Sequence, residues 1–268
     1  MRSCVVGETV GGVMSGRVLA LAMQKGGVAK TTSTENLGAA LARRGRRVLV
    51  IDIDPQANLT QGLGIDPAEL DYSIYEVLLN PDRGVGFATI RTDAGIDLVP
   101  STLALAGAEL ELAGKVGREL LLRKALKAIR EEYDYILIDP PPSLGLFTLN
   151  ALAAADSVLV PFQVHVYSFK AMPQLQATID LVRDLNPQLA IGGIVCTLSD
   201  RRTSLSQAVE QQIRDSYGDL VFNTVIPVNV KLAEAPAAGK SIMTYAPDSA
   251  GAVAYTALAG DVEARYGI

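Results

Sequence analysis

Short apolar runs alternate with longer amphipathic segments along the chain from Arg17 to the C-terminus. The apolar runs are rich in Val and Ile and are too uniformly hydrophobic for a sheet that has one face in water. This alternation predicts an α/β fold with a mostly parallel central sheet and helices on both of its faces. The predicted strands are residues 18–23, 48–53, 96–99, 135–138, 158–161, 191–197 and 220–226, and the predicted helices are residues 30–44, 118–131, 144–154, 169–185, 204–217 and 250–266.

Composition fits one globular domain over residues 17–268 and narrows the classes of function. The chain has 268 residues, of which 49% are hydrophobic and 20% charged, as is usual for a folded protein. Its net charge of −5 argues against a surface that is basic overall, so any binding of nucleic acid has to be local. No apolar stretch is long enough to span a bilayer, so no membrane partner is expected. Residues 1–16 lack the pattern of a signal peptide and are interpreted as a disordered extension.

The cysteines and the single histidine give no indication of a metal or redox centre. Cys4 and Cys196 are far apart in the sequence, and neither belongs to a CxxC pair. A disulfide framework is therefore not expected, and the default location is a reducing cytoplasm. His165 is interpreted as a loop or core residue rather than a ligand.

The segment that follows the first predicted strand has the composition of a phosphate-binding loop. It reads Gln-Lys-Gly-Gly-Val-Ala-Lys-Thr-Thr over residues 24–32 and leads directly into a predicted helix. Such a turn directs backbone N–H groups and the positive end of the helix toward one point, which suits a polyphosphate. In this kind of loop the Lys30 amine reaches the β and γ phosphates, and the Thr31 hydroxyl ligates Mg²⁺. The predicted nucleotide-binding residues here are Lys25, Gly26, Gly27, Val28, Ala29, Lys30, Thr31 and Thr32.

Two acidic motifs follow later strands, where ligands of open α/β sheets bind. They are Asp52-Ile-Asp-Pro-Gln and Ile138-Asp-Pro-Pro-Pro-Ser. Asp54 is expected to hold the attacking water or a Mg²⁺-bound water, although an Asp-Pro pair also suits a turn. Asp139 ends an apolar strand and is expected to hold Mg²⁺ through water. The motifs therefore predict a P-loop ATPase that binds ATP, ADP and Mg²⁺, with Thr31, Asp54 and Asp139 around the metal.

Together these motifs make the chain resemble the ParA/Soj chromosome and plasmid partition ATPases, which carry the deviant Walker A form of the phosphate loop. The resemblance rests on residues 25–32, 52–56, 138–143 and 226–236, and includes residues 61–64, 105–112 and 143–146. It implies an ATP-dependent homodimer with two nucleotides at the interface. It also implies non-specific binding of double-stranded DNA, a ParB-like partner and a cytoplasmic, nucleoid-associated location.

The resemblance assigns roles to individual residues. Lys25 matches the signature lysine, which reaches the nucleotide of the partner subunit, and Asp54 matches the hydrolytic aspartate. Pro227 and Asn229 match the segment that holds adenine. The expected catalytic residues are Lys25, Lys30 and Asp54, and the expected DNA contacts are Arg202 and Lys231.

Four positions depart from the family pattern. Ala29 stands where a glycine normally precedes the lysine of the loop, and Pro140 where a cysteine or alanine is common. His165 replaces a frequent acid, and Val228 replaces a common arginine. These departures bear on nucleotide affinity and DNA contact rather than on the fold.

Other members of the wider superfamily are alternatives. A MinD-like ATPase that positions a protein cargo would end in a basic amphipathic helix, which residues 257–268 do not provide. A nitrogenase-type reductase would need cluster cysteines, and a bacterial tyrosine kinase would have a tyrosine-rich tail. A non-hydrolysing adaptor stays open because of Ala29. The arginines of residues 43–47 close a predicted helix, where cations are favoured by the dipole, and are interpreted as structural.

Overall fold

The computed structural model of the protein describes residues 16–267. The sequence predicted a disordered extension over residues 1–16. Residues 1–15 lie outside the described residues, and Gly16 is described. The Gly16 N–H donates to the Arg130 carbonyl at 3.2 Å, and the Gly16 carbonyl accepts from Arg130 Nε at 3.0 Å. The first described residue is therefore attached to the turn around Arg130.

A mostly parallel sheet forms the centre of the fold, as the apolar runs predict. Within residues 16–267 its strands are β1 Arg17–Leu21, β2 Val48–Asp52, β3 Ile90–Arg91, β4 Asp97–Val99, β5 Tyr135–Asp139, β6 Ser157–Gln163, β7 Ile191–Ser199 and β8 Val221–Pro227. Their order is β3-β4-β2-β5-β1-β6-β7-β8, and only β3 and β4 pair antiparallel. All seven predicted strands are present. The sequence did not predict β3, because two residues are too few to show a periodicity.

Helices connect the strands and cover both faces of the sheet. The α-helices of the described residues are α1 Lys30–Arg43, α2 Asn58–Gly62, α3 Ile74–Leu79, α4 Leu105–Leu112, α5 Leu121–Leu126, α6 Leu146–Ala154, α7 Ala171–Val182, α8 Ser204–Tyr217, α9 Val230–Glu234, α10 Ile242–Tyr245 and α11 Ala250–Tyr266. The predicted bounds of α8 and α11 are confirmed. The short helices α2, α3, α9 and α10 were not predicted, since a helix of one or two turns repeats its apolar pattern too few times to be recognised.

The prediction of one helix over residues 118–131 is wrong. A 3-10 turn, Arg118–Leu120, precedes α5, and a second one, Arg130–Glu132, follows it. The Glu132 N–H donates to the Ile129 carbonyl at 2.9 Å, in the tighter three-residue pattern. The Arg130 guanidinium also bonds to Asp156, which holds this turn against the start of β6. Tertiary contacts thus end the helix early despite its favourable sequence.

Two hydrophobic cores lie on opposite faces of the sheet because successive side chains of a strand point to opposite sides. Val18 and Ala20 of β1 face a core shared with α3 to α7, whereas Leu19 and Leu21 face one shared with α1 and α11. All four side chains are at most 1% exposed. Burial on both faces explains why the strands read as continuous apolar runs.

Candidate functional site

The loop between β1 and α1 lies at the carboxyl edge of the sheet and has an unusual backbone. Gly27 and Ala29 both have left-handed conformations, with φ of 71° and 66°. A β-carbon in this region costs on the order of 1 kcal/mol, so Ala29 is strained where glycine would not be. A β-carbon built on Gly26 or Gly27 would meet nothing within 4 Å, so the outer side of the loop is open.

Three sequence motifs converge on one cavity of about 550 Å³ beside this loop. From the predicted site it brings together Gly26, Gly27, Ala29, Lys30, Thr31, Thr32 and Asp54, and from the neighbouring motifs Pro55, Gln56, Asn58, Pro141, Pro142 and Ser143. Val28 is buried instead, and its carbonyl accepts from the Thr197 hydroxyl at 3.0 Å. The cavity therefore joins the loop to the ends of β2 and β5.

Lys30 lines this cavity, whereas Asp139 is buried, does not line it and acts on the charge of Lys30. Lys30 is 8% exposed; burial lowers the pKa of its amine, while the charges of Asp139 and Asp54 oppose that shift. Asp139 is buried, and this burial, together with the charge of Asp52, raises its pKa well above the ordinary range. The Thr34 hydroxyl donates to Asp139 Oδ1 at 3.4 Å. Lys30 and the acids Asp52, Asp54 and Asp139 thus influence one another's protonation beside the cavity.

Asp52 holds the segment that carries Asp54. Asp52 Oδ2 accepts from the Thr60 hydroxyl at 2.7 Å and from the Thr60 N–H at 2.9 Å, and Oδ1 accepts from the Asp54 N–H at 3.1 Å. Asp52 also lies opposite Asp139 in the β2–β5 register. No role was predicted for Asp52 itself. Its position at the end of an apolar strand, two residues before Asp54, nevertheless indicated that it would be buried.

The side chains around the loop suit a magnesium nucleotide. Thr31, Asp54 and Asp139 offer hard oxygen donors, and a divalent cation would offset the burial and the Asp52 charge that raise the Asp139 pKa. The part of the chain that the structure describes holds no group of three or more His, Cys, Asp or Glu side chains able to bind a metal ion. This fits Mg²⁺, which in proteins keeps several waters and takes further oxygens from phosphate groups.

Lys25 does not line this cavity. Its Nζ donates to Oε1 of Gln163 at 2.8 Å and to the Ser168 hydroxyl at 3.1 Å. Gln163 ends β6, and Ser168 lies in the 3-10 helix Val166–Lys170, where the side chain of His165 accepts from the Tyr167 N–H. His165 therefore caps a helix, in agreement with its interpretation as a loop residue. The sequence did not predict the roles of Gln163 and Ser168.

Pro227 and Asn229 lie apart from the phosphate cavity. Pro227 ends β8 and lines a separate cavity of about 430 Å³ with Ser199 and Val253. The Asn229 side chain accepts from the Lys231 N–H at 2.8 Å and so caps α9. Their contact with adenine stays a prediction.

The two predicted DNA contacts are exposed cations that already have acidic partners. Arg202 Nη2 lies 2.7 Å from Asp200, and Lys231 Nζ lies 2.8 Å from Glu234. The hydrogen bonds from Arg202 lower the pKa of Asp200 to about 2. A DNA phosphate would therefore exchange with a carboxylate of the chain.

The arginine cluster of residues 43–47 is structural, as expected. Arg44 and Arg46 each lie 2.6 Å from a carboxylate oxygen of Glu263 in α11. Arg47 pairs with Asp134 at 3.2 Å. The contacts with Glu263 tie the end of α1 to the C-terminal helix, and the contact with Asp134 ties it to the residue before β5. None of the helices within residues 16–267 has both the length and the hydropathy that a membrane span requires.

Comparison with known proteins identifies the family to which the chain belongs. The model of a family described as an AAA domain matches residues 16–191. The sporulation initiation inhibitor protein Soj of Bacillus subtilis is 46% identical over 93% of this chain and 99% of its own length. The chromosome partitioning protein ParA of Caulobacter vibrioides is 47% identical over 93% and 94%. A crystal structure described as cobyrinic acid a,c-diamide synthase from Mycobacterium smegmatis, with bound ADP and magnesium, is 41% identical and superposes with a TM-score of 0.82, covering 94% of this chain and 96% of that one.

Proposed function

Because the chain belongs to the ParA/Soj family of P-loop partitioning proteins, we propose that it is an ATPase that dimerises on binding ATP, binds DNA non-specifically and segregates DNA with a ParB-like partner. The observation that carries this proposal is the convergence of the phosphate loop, Asp54 and the Walker B segment on one cavity. A cytoplasmic, nucleoid-associated location follows from the same function.

In this proposal the loop binds the phosphates before any chemistry. Its N–H groups and the buried Lys30 amine meet the β and γ phosphates, and Thr31, Asp54 and Asp139 face the metal, in part through water. Bound Mg²⁺ supplies positive charge for the phosphate oxygens. Burial lowers the pKa of the Lys30 amine, and the charges of Asp139 and Asp54 oppose that shift.

Asp54 has the position to orient the attacking water. It follows the carboxyl end of β2 and lines the cavity, and its backbone is fixed through Asp52 and Thr60. Orientation of water by a fixed carboxylate acts in the transition state rather than on bound ATP. Turnover is proposed to be slow until DNA and the partner are bound.

Lys25 is proposed to act on the nucleotide of the other subunit. To do so its amine leaves Gln163 and Ser168, which hold it in the single chain. A phosphate carries a negative charge that Gln163 and Ser168 lack, so it adds the attraction of an ion pair to the hydrogen bond. Dimerisation therefore gives Lys25 a better partner than the monomer does.

The dimer also doubles the DNA-binding groups. Arg202 and Lys231 would exchange Asp200 and Glu234 for phosphates, and each subunit would add the same pair. Such contacts carry no sequence information, which supports non-specific binding. Pro227 and Asn229 are proposed to hold adenine at the end of β8.

Two other functions are disfavoured. A MinD-like role with a protein cargo uses the same fold, yet α11 contains one cation, Arg265, and offers no basic face. Amide synthesis, which the description of the Mycobacterium smegmatis structure names, requires an acceptor beside the phosphates. The Soj and ParA relatives are more similar, at 46% and 47% identity against 41%, which favours partition.

Phosphate release from ATP, measured with and without a DNA duplex and with sedimentation in parallel, tests the proposal. We expect slow hydrolysis that DNA accelerates and a monomer that becomes a dimer with ATP. Hydrolysis without any effect of ATP on the oligomeric state would reject the partition mechanism, and absence of ATP binding would reject the ATPase.

A further inference from the structure

A second and larger cavity, of about 790 Å³, lies at the amino edge of the sheet, far from the phosphate loop. It is lined by Val18, near the amino end of β1, and by Ala154, at the end of α6. Both residues lie at the amino edge, whereas the predicted site lies at the carboxyl edge. We call it the amino-edge cavity. Neither the ATPase site nor the predicted DNA contacts use it.

The lining of this cavity combines an apolar floor with a basic rim. The aliphatic residues are Val18, Leu79, Val116, Leu120, Leu121 and Leu126. The charged residues are the cations Arg83, Lys115, Arg123, Lys124, Lys127 and Arg130, against the single acid Asp82. Such a concentration of positive charge is anomalous in a chain whose net charge is −5.

Most of these cations have no acidic partner among the described residues. Only Lys124 and Arg130 pair with a carboxylate, at 2.8 Å from Asp82 and 2.5 Å from Asp156. Lys115 donates to the Leu79 carbonyl and Arg123 to the Leu185 carbonyl, and Arg83 lies 3.9 Å from the centre of the Phe87 ring. The side chain of Lys127 has no hydrogen-bond or ion-pair partner within residues 16–267. The rim therefore has unused capacity for anions.

The lip of the cavity presents an apolar side chain directly to solvent. Val116 is 100% exposed and follows Lys115, and glycines lie on both sides of this pair. Gly117 has a φ of 70°, which turns the chain sharply into α5. The loop thus offers one apolar and one cationic side chain together, a combination that suits an amphipathic partner.

We propose that the amino-edge cavity docks an acidic amphipathic segment of another protein, whose aliphatic side chains enter the floor while its Asp and Glu residues meet the rim. The apolar floor gives DNA phosphates and bases nothing to bind, which favours a peptide over a nucleic acid. Residues 1–15 precede Gly16, which bonds to Arg130, and carry one acid, Glu8, and one basic side chain, Arg2. The charges of these two side chains cancel, so residues 1–15 do not have the negative charge that would complement the basic rim.

The position of the cavity makes docking independent of nucleotide. The proposed dimer places its nucleotides at the carboxyl edge, so the amino edge faces outward in monomer and dimer alike. The same peptide should therefore bind equally with and without ATP. This result holds even if the ATPase proposal fails, and the two proposals can be rejected separately.

A fluorescein-labelled peptide with leucines at three- and four-residue spacing and glutamates elsewhere is a direct probe. Anisotropy with the full-length protein should show saturable binding that weakens as salt rises. Replacing the glutamates by lysine, or the leucines by serine, should abolish it. In the protein, Arg123→Glu with Lys127→Glu should weaken binding about tenfold, since two exposed contacts are reversed. Val116→Ser should weaken it without changing its salt dependence.

The matched control is Lys240→Glu, which reverses an exposed lysine far from this cavity and should leave peptide affinity unchanged. Unfolding curves of each variant confirm that these surface changes keep the fold. The proposal is overturned if the glutamate peptide does not bind, or if a DNA duplex displaces it in the absence of nucleotide. It is also overturned if Val5→Ser with Val6→Ser strengthens peptide binding tenfold, because residues 1–15 would then be the occupant.

Discussion

The Nζ atom of Lys25 lies 2.8 Å from Oε1 of Gln163, the last residue of β6. A lysine that is proposed to serve the neighbouring subunit is thus held by an acceptor of its own chain, with the Ser168 hydroxyl as a second one at 3.1 Å. Both acceptors are neutral, so the bonds orient the amine without neutralising its charge. The monomer keeps this amine ready beside the phosphate loop and away from the phosphate cavity.

Lys25→Ala should leave ATP binding by the monomer nearly unchanged and abolish dimerisation and hydrolysis. Its amine lies outside the cavity of its own subunit, whereas Lys30 lines that cavity. Lys30→Ala is the contrasting variant and should lose ATP binding itself. Nucleotide titration together with sedimentation separates the two, and a Lys25→Ala protein that dimerises normally with ATP would refute the role in trans.

Asp54→Ala should bind ATP like the wild type and hydrolyse it at least about a hundredfold more slowly, since a positioned catalytic carboxylate contributes roughly that much. ATP-bound dimers should then accumulate. Single-turnover phosphate release and sedimentation check both effects. Wild-type turnover by this variant would show that another residue has the catalytic role.

Ala29→Gly should stabilise the nucleotide-free protein and tighten ATP binding several-fold. The φ of 66° costs a residue with a β-carbon on the order of 1 kcal/mol. Glycine also raises the conformational entropy of the unfolded chain, which offsets several tenths of a kcal/mol of that gain. Gly27→Ala, at a φ of 71°, should show the opposite effect, and Gly26→Ala is the control without a positive φ. Thermal unfolding and ATP titration measure it. Equal stability of the Ala29→Gly protein and the wild type would exclude strain at this position.

Glu35→Gln should make stability less dependent on pH. Glu35 in α1 is 1% exposed, and burial, followed by the charge of Asp139, raises its pKa from 4.5 to about 8. A carboxyl whose folded pKa is raised contributes stability that is complete below pH 4.5 and is lost as pH rises through about 8. The wild type should therefore lose on the order of 1 kcal/mol per pH unit between these values from this group.

Denaturant unfolding without nucleotide at several pH values measures this slope. Asp52 and Asp139 also have raised pKa values and leave a residual slope in the Glu35→Gln protein. Exposed Glu131→Gln is the control and should keep the wild-type slope. An unchanged slope for Glu35→Gln would show that Glu35 is not the group that titrates.

The double variant Arg202→Ala, Lys231→Ala should weaken ATP-dependent DNA binding equally for all sequences and flatten its salt dependence. Each lost phosphate contact reduces the salt slope by about one. Arg91→Ala removes an exposed arginine that pairs with Asp97 at 2.9 Å on the opposite side of the sheet, and should change nothing. Unaltered DNA affinity in the double variant would place the DNA surface elsewhere.

The sequence alone determined the sheet, the three motifs and the family. The parallel strands are buried on both faces, so their apolar runs are recognisable without knowledge of their neighbours. Gly27, Lys30, Asp54 and Asp139 lie at strand ends, and parallel strands bring such ends to one edge whatever else the chain does. Local order and fold topology therefore sufficed to predict the cavity.

Only the tertiary structure decided which partners these side chains have. Lys25 meets Gln163 from 138 residues away, and Glu35 is buried beneath elements whose packing no local pattern specifies. The helix expected over residues 118–131 divides because Arg130 bonds to Gly16 and Asp156, contacts that its own sequence does not contain. The amino-edge cavity likewise arises from segments that are separate in sequence, since electrostatics and packing act through space while periodicity acts along the chain.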